Sequence, residues 1–443
     1  MFRAVGRIFR TPDLRRKIGF TILIVAIFRL GSFIPAPFVD FQNVQTCLAA
    51  NSNTSGLYEL VNLFSGGALL QLSIFALGIM PYITASIIVQ LLRVVIPHFD
   101  TLYKEGQSGQ SKLTQYTRYL TIGLGVLQST TLITVARSGA LFGTSSSTPQ
   151  CSELITSAGQ TWYGILLMVI TMTAGTGIIM WMGELVTERG IGNGMSLLIF
   201  TSIAARFPSA LQSIWLSKGF PVFLLTIAVG IVIMGLVVFV EQSQRRIPVQ
   251  YPKRQVGNRM FGGDSTHMPL KINTSGVIPP IFASSILLVP ATIAGFSQGG
   301  PGWLQFIGNQ LAHGQPLYMA LYAFMIIFFS YFYTAVVFNP EETADNLKKY
   351  GGFIPGIRPG SATAEYFDRV LTRLTTVGGI YLVVICLLPE ILINNYGLPF
   401  YFGGTSILIV VSVTMDTVTQ IQSHLLAHQY EGLIRKAKVK GRR

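Results

Sequence analysis

The chain has 443 residues, half of them hydrophobic, and only 11% are Asp, Glu, Lys or Arg, against roughly 25% charged in an average globular protein. That composition cannot cover a water-facing surface, and with a mean hydropathy of +0.53 it excludes a set of soluble domains and points to a helical integral membrane protein. The 32 Lys and Arg exceed the 18 Asp and Glu for a net charge of +14, an excess that suits nucleic acid, anionic headgroups or the orientation of membrane helices, so its placement has to decide.

In chain order, a basic stretch (Arg3, Arg7, Arg10, Arg15, Arg16, Lys17) leads into an apolar run from Ile18 to about Phe38. The run outlasts a signal-peptide core and no small-x-small cleavage site follows it, so it reads as a retained first span. Ten candidate spans lie near Gly19 to Pro37, Ser73 to Leu92, Thr117 to Ala136, Tyr163 to Met182, Met195 to Leu211, Phe220 to Val240, Thr274 to Ala294, Leu317 to Val337, Thr375 to Ile393 and Phe402 to Ile421. Gly, Pro and polar clusters mark the connections. An even number of spans places both termini on one side.

The basic residues choose that side. Of the 32 Lys and Arg, 28 lie in the N-terminal tail, in the loops after the second, fourth, sixth and eighth spans, and in the C-terminal tail. The others are Arg137, Arg206 and Lys218 at span margins and Arg29 inside the first span. By the positive-inside rule the basic side, with both termini, is cytoplasmic. Two of its loops, Glu241 to Asn273 and Phe338 to Thr372, are long, basic and rich in Gly and Pro, more than orientation alone requires.

The second apolar region is irregular. From Leu63 to Leu92 it is nearly continuous, too long for one upright crossing of about 20 residues. Gly66-Gly67, Gly78 and Pro81 interrupt it, at a cost of about 1 kcal/mol for each Gly and about 3 kcal/mol for Pro in a helix interior. The parse is a short half-helix before a full span, with one kinked, tilted helix as the alternative. A half-helix at membrane depth needs protein or a water-filled cavity around it, which implies a pathway through the molecule.

Catalytic patterns are missing: the sequence holds no GxSxG, HExxH, Walker loop or GxGxxG after a strand. His424 and His428 have metal-ligand spacing but no third ligand nearby, and read as solvated or interfacial. Three cysteines without a CxxC pair point to no disulfide scaffold, metal or redox site. Cys47 and Cys151 fall in external loops, where a bridge between them is an open question, and Cys386 lies in a span. The acids Glu184, Glu241, Glu390 and Asp416 fall near span ends, unlike the mid-membrane acids of ion-coupled transporters. A channel without a charged filter can still discriminate through an aliphatic constriction.

Longer strings carry a resemblance. NLFSGGAL (Asn62 to Leu69), ALGIMPYITASIIVQLL (Ala76 to Leu92), EGQSG with QYTRY (Glu105 to Tyr119), ERGIGNG (Glu188 to Gly194), QRRIPVQY (Gln244 to Tyr251), KINTSGVIPPIFASS (Lys271 to Ser285), FNPEETADNLKKYGGFIPGIRPG (Phe338 to Gly360) and FYFGGTSILIVV (Phe400 to Val411) resemble the bacterial SecY family, the protein-conducting channel of the Sec translocon. They follow the family order and cover nearly the whole chain.

The resemblance implies an all-α polytopic membrane protein with ten transmembrane helices, in two inverted five-helix halves around a central pore, with a re-entrant plug half-helix. In this sequence the parts are a cytoplasmic N-terminal tail (1–18), a first half (19–213) containing the plug (62–72), a second half (220–421) containing the basic loops (241–273 and 338–372), and a cytoplasmic C-terminal tail (422–443). The plug motif is Asn62, Leu63, Phe64, Ser65, Gly66, Gly67, Ala68 and Leu69. The pore ring, carried over by motif, is Ile79, Ile83, Met195, Ile199, Ile281 and Ile409, with Met195 a softer departure from the usual branched aliphatic.

By the same resemblance the basic loops dock the ribosome and the SecA motor, with Arg245, Arg246, Lys253, Arg254 and Arg358 offering charge to phosphate or acidic groups. Arg358 stands between Pro355-Gly356 and Pro359-Gly360, which restrict the loop that presents it. The implied function is the central channel subunit, moving unfolded polypeptides across the plasma (inner) membrane and releasing transmembrane segments through a lateral gate. Implied partners are SecE and SecG, SecA, the ribosome, signal-sequence-bearing polypeptides and the lipid bilayer. The expectation is no cofactor and no enzymatic activity. The competing reading is a ten-span secondary transporter with inverted repeats, a layout that also uses broken helices. An intramembrane enzyme would need a base near Ser65, and no histidine lies at comparable depth.

The charge placement makes a prediction about topology. A reporter fused after Arg443 is expected to be active only when it requires the cytoplasm; activity confined to the outside would reverse the assignment.

Overall fold

A computed structural model describes residues 11–50, 65–137, 154–251, 254–256, 259–261, 265–296, 310, 315–396 and 404–440. The helices in chain order are α1 (Pro12–Gly31), α2 (Phe41–Ala50), α3 (Met80–Val95), α4 (Pro97–Lys104), α5 (Gln107–Arg137), α6 (Trp162–Arg189), α7 (Gly194–Ala204), α8 (Phe207–Lys218) and α9 (Phe220–Gln242). They continue as α10 (Ile278–Phe296), α11 (Pro316–Val337), α12 (Pro340–Lys349), α13 (Ser361–Tyr396) and α14 (Gly404–Lys440). A helix stands at each of the ten sequence-predicted spans. Among the described residues, seven helices are long and apolar enough to cross a membrane, with α7 and α8 counted together, and α3 with α4 makes an eighth, bent by 101°.

Local chemistry sets these boundaries. Ile96 is extended before Pro97, because a residue preceding proline is pushed out of the helical region, and the bend follows. Thr161 caps α6 by accepting from the Gly164 N–H, and Asn193 caps α7 through the Met195 N–H. The second span was expected from Ser73, yet α3 begins only at Met80, after Gly78 with φ +55°. The left-handed turn at Gly78 ends the preceding turns and starts the helix afresh.

The helices are apolar on both sides, and small residues share their buried faces with large ones such as Met168, Met172 and Ile179. On α6, Gly164, Thr173, Gly175, Thr176 and Gly183 are buried, while Leu166, Leu167, Ile170, Ile178 and Trp181 are exposed. Lipid offers helices no hydrophobic drive to associate, so contact comes from small side chains and close backbones. Gly175 marks the closest approach: a Cβ there would lie 2.2 Å from the Ile74 carbonyl oxygen. Hydroxyls at these seams return to their own helix, as Thr173 does to the Val169 carbonyl (2.7 Å) and Thr121 to that of Thr117 (2.7 Å). Arg118 on α5 grips Glu184 on α6 in a two-point fork, Nε to Oε1 at 2.9 Å and Nη2 to Oε2 at 2.7 Å.

The chain forms two compact units, residues 1–213 with 413–443, and residues 214–412. In the first, α5 packs against α3 and α6, and α6 against α7 and α1. The loop between α6 and α7 is held by side chains from three helices: Thr21 of α1 accepts from the Ile191 N–H (3.2 Å), Thr187 of α6 from that of Gly194 (2.9 Å), and Gln420 of α14 from that of Gly192 (2.9 Å). In the second, α11 packs against α10 and α13. That unit also holds two short antiparallel ladders, β1 (Gln244–Gln250) with β4 (Ser265–Lys271), and β2 (Arg254–Val256) with β3 (Arg259–Phe261). Cys47 is buried and disulfide-bonded, and Cys386 is a buried thiol facing the Thr405 hydroxyl. Cys151 lies outside the described residues.

The approach of Gly175 to Ile74 makes a stability prediction. Gly175→Leu is expected to cost about 1–3 kcal/mol, the range for overpacking, and to lower the melting temperature in detergent. Gly177→Leu is the control, because a Cβ at Gly177 on the same helix would have nothing within 4 Å. Equal melting of the two variants would refute the seam.

Candidate functional site

Three sets of residues carry the expected function: the plug motif, the ring positions and the basic loops. Of the plug motif, Asn62, Leu63 and Phe64 lie outside the described residues. Ser65 is helical, and from Gly66 to Ile79 the chain runs as successive turns rather than as a regular half-helix. The reason is backbone sign: Gly66 (φ +69°), Gly67 (φ +97°) and Leu72 (φ +46°) are all left-handed, and no α-helix propagates through them.

These turns are nearly closed to solvent, and most of their polar contacts are backbone bonds, while the buried Ser73 hydroxyl has no hydrogen-bond partner among the described residues. Ser65, Ala68, Leu69, Leu70 and Leu72 are buried. The Ser65 hydroxyl accepts from the Leu69 N–H (3.1 Å), and the Ser73 N–H donates to the Ala68 carbonyl (3.1 Å). A short bridge to the chain after α1 does the rest, with Ala36 N–H donating to Leu72 O and Ile74 N–H to Ile34 O, both at 2.9 Å. Phe75 stacks on Phe28 of α1 with ring centroids 6.0 Å apart, over Gly31, where any Cβ would collide with the Phe75 ring.

Two residues outside the motif hold Gly66. The Arg29 guanidinium donates to the Gly66 carbonyl oxygen at 2.8 Å. A Cβ at Gly66 would lie 3.1 Å from the Ser202 Cα of α7 and 3.2 Å from Arg29 Nη1. Ser202 is three residues beyond Ile199, about 4.5 Å further along the helix axis. The turn segment is therefore seated against α7 just past a ring position, toward the end of α7 away from Met195.

The ring positions come from four helices. Ile79 precedes α3 and is buried, and its carbonyl accepts the Ile83 N–H at 3.1 Å, so the two stand one turn apart on one face. Ile83 is half-buried and Ile199 buried. The half-buried Met195 lies with its thioether against Gly183 of α6, where a Cβ would meet Sδ. That places it on the seam between α6 and α7. In the second unit, Ile281 of α10 is half-buried and its carbonyl accepts from the Ser284 and Ser285 hydroxyls (3.0 and 2.8 Å), while Ile409 of α14 is buried.

The two basic loops are joined into one body. β1 and β4 pair with Arg245 opposite Leu270, Arg246 opposite Pro269 and Ile247 opposite Met268. Gln250 at the end of β1 exchanges both backbone hydrogen bonds with Phe353 of the other loop (2.9 and 3.0 Å). Beneath, Ile247 and Leu270 share a core with Ala344, Ile354, Phe367 and Val370. Arg245 and Arg246 face solvent on this platform. Arg358 is exposed at a turn between the anchored Ile354 and Thr363, whose hydroxyl donates to the Arg358 carbonyl at 2.8 Å, and Gly356 (φ +83°) and Gly360 (φ +111°) make the bends. Arg254 lies on β2, and Lys253 lies outside the described residues.

Sequence reasoning named Arg29 only as a charge within a span and did not name Ser202. An arginine at such depth is itself a signal of function. The sheet also went unforeseen, although Ile247 and Val249, buried between exposed neighbours, show the two-residue alternation of a strand.

A family model described as SecY matches residues 73–418. The chain is 56% identical over 442 residues to the protein translocase subunit SecY of Streptomyces scabiei, covering 98% of this chain and 100% of that one. It is 50% identical over 444 residues to the corresponding subunit of Micrococcus luteus, with 98% and 100% covered. Among solved structures, that of a protein conducting channel superposes with a TM-score of 0.60 at 17% identity, covering 92% of each chain. The idle yeast Ssh1 complex bound to the yeast 80S ribosome gives a TM-score of 0.57 at 16% identity, covering 94% of this chain and 89% of that one. These two structures share the fold, and nothing in the matches supports a secondary transporter. With a family model spanning most of its length and full-length relatives above half identity, the chain belongs to the SecY family.

Proposed function

We propose that this SecY-family chain is the central channel subunit of a Sec translocon. It moves unfolded polypeptides across the plasma membrane and releases transmembrane segments through a lateral gate. The observation that carries the reading is the buried turn segment seated against α7 beside Ser202, next to Ile199. A run of left-handed turns at membrane depth has no role in a bundle built only to span a bilayer, and it suits a stopper that can leave as one piece.

In this reading Ile79, Ile83, Ile199, Ile281 and Ile409 form an apolar collar, with Met195 at its cytoplasmic rim, and 62–72 is the plug on the external side. Aliphatic side chains exclude water and ions when they meet, yet bind nothing that slides past. The parts are a cytoplasmic tail 1–18, halves 19–213 and 220–421 arranged as inverted repeats, and a cytoplasmic tail 422–443. SecE and SecG are the small membrane subunits beside it. SecA or the ribosome docks on the platform of 241–273 and 338–372 and supplies the energy, so the chain needs no cofactor and catalyses no covalent step of its own.

Two experiments test this. Arg358→Glu is expected to leave insertion and fold intact and to slow motor-driven export in vesicles by about tenfold, the factor that accompanies 1.4 kcal/mol of binding energy; normal export would remove Arg358 from the docking surface. Ile409→Asn is expected to loosen the collar, raising ion leak in bilayers and letting poorer signal sequences through. Unchanged leak together with unchanged signal stringency would mean that the collar is not the gate.

A further inference from the structure

The collar and the docking platform leave one charge unused. Arg29 lies in the last turn of α1 and is half-buried. Its guanidinium sits 5.0 Å from the centroid of the Phe33 ring while Nη1 donates to the Gly66 carbonyl at 2.8 Å. Among the described residues, no carboxylate stands within ion-pair distance of it. A charged side chain inside a span is costly and is kept where it acts. Among the described residues its hydrogen-bond acceptor is a backbone carbonyl, 37 residues away in the turn segment.

That carbonyl is well placed to be gripped. Gly66 is left-handed, so its peptide is turned out of any helical ladder, and Ser202 of α7 and the Arg29 guanidinium both crowd the space a side chain there would take. The arginine and the carbonyl each satisfy a group that would otherwise lie unpaired in a low-dielectric setting. The segment is also held by apolar packing of Leu69, Leu70 and Leu72 and, at its far end, by neutral backbone bonds to Ile34 and Ala36. A hydrogen bond from an ionised donor is roughly twice as strong as those.

We infer that Arg29 is a latch that holds the turn segment shut, and that its hydrogen bond to Gly66 sets how good a signal sequence must be to open the channel. The inference rests on the reading of this segment as a plug. Loss of one charge-assisted bond shifts an open-to-closed ratio by about tenfold or more. Arg29→Leu removes the bond. Arg29→Lys keeps the charge and loses the planar fork and its stacking on Phe33, so it stands between.

The test uses the full chain in its translocon in cells, with Ser65→Cys as reporter and a membrane-impermeant maleimide added outside. Ser65 is buried in the closed segment, so idle labelling is slow, and engagement of an arrested preprotein accelerates it. The expected result is that Arg29→Leu raises the idle labelling rate, and the export of a preprotein with a defective signal sequence, each by about tenfold, with Arg29→Lys intermediate. Should Arg29→Leu fail to accumulate, Arg29→Lys carries the comparison. If engagement still accelerates labelling while idle labelling and stringency per channel match those of the parent, the latch is overturned and the plug stands. A variant that lowers only the amount of folded protein has the same meaning. If engagement never accelerates labelling, the plug reading fails and the latch fails with it.

Discussion

Backbone amides and carbonyls at membrane depth have no water to bond, and the run from Ser65 to Ile79 is built around that constraint. Unlike a helix it cannot satisfy itself residue by residue. It borrows partners instead: the Ser65 hydroxyl, a two-bond bridge to Ile34 and Ala36, and the guanidinium of Arg29. Each borrowed partner is also an attachment, so satisfying the backbone and holding the segment in place are the same act. Beside these bonds, Leu69, Leu70 and Leu72 pack the segment into a shared apolar core.

The surrounding helices follow from the same solvent. Many of their large aliphatic and aromatic side chains face outward, and the seams mix Gly, Thr and Ser with buried Met, Ile and Leu. Close approach at Gly175 and Gly31 brings α6 and α1 to within contact of the turns at Ile74 and Phe75. Small residues on two helices thus make the recess in which the irregular backbone lies, and an added side chain at either position would crowd it.

Outside the spans, water returns and with it ordinary soluble chemistry. The platform of β1, β4 and the loop around Phe353 has an apolar core of Ile247, Leu270, Ile354 and Phe367 beneath exposed arginines. A flexible basic loop loses conformational entropy when a partner orders it, whereas this body already holds its charges in place. Fixing Ile354 and Thr363 on either side of Arg358 positions that side chain while leaving it in solvent.

Much of the molecule was legible from residue order alone. Membrane thickness sets the length of an apolar run, so a helix stands at each of the ten expected positions, while the side of the termini rests on the asymmetry of Lys and Arg as a proposal. The Gly66-Gly67 and Gly78 breaks announced an interruption before α3, because glycine pattern reflects local backbone freedom. Whether the interruption was helix or turns depended on the sign of φ at Gly66, Gly67 and Leu72, and Leu72 carries no such mark in its chemistry. The joining of two loops about 100 residues apart into one platform, the contact of Gly66 with Ser202, and the grip of Arg29 on a carbonyl 37 residues away were decided only by tertiary structure. A hydrogen bond to a backbone oxygen leaves no trace in the identity of the residue that accepts it, since every residue has that oxygen.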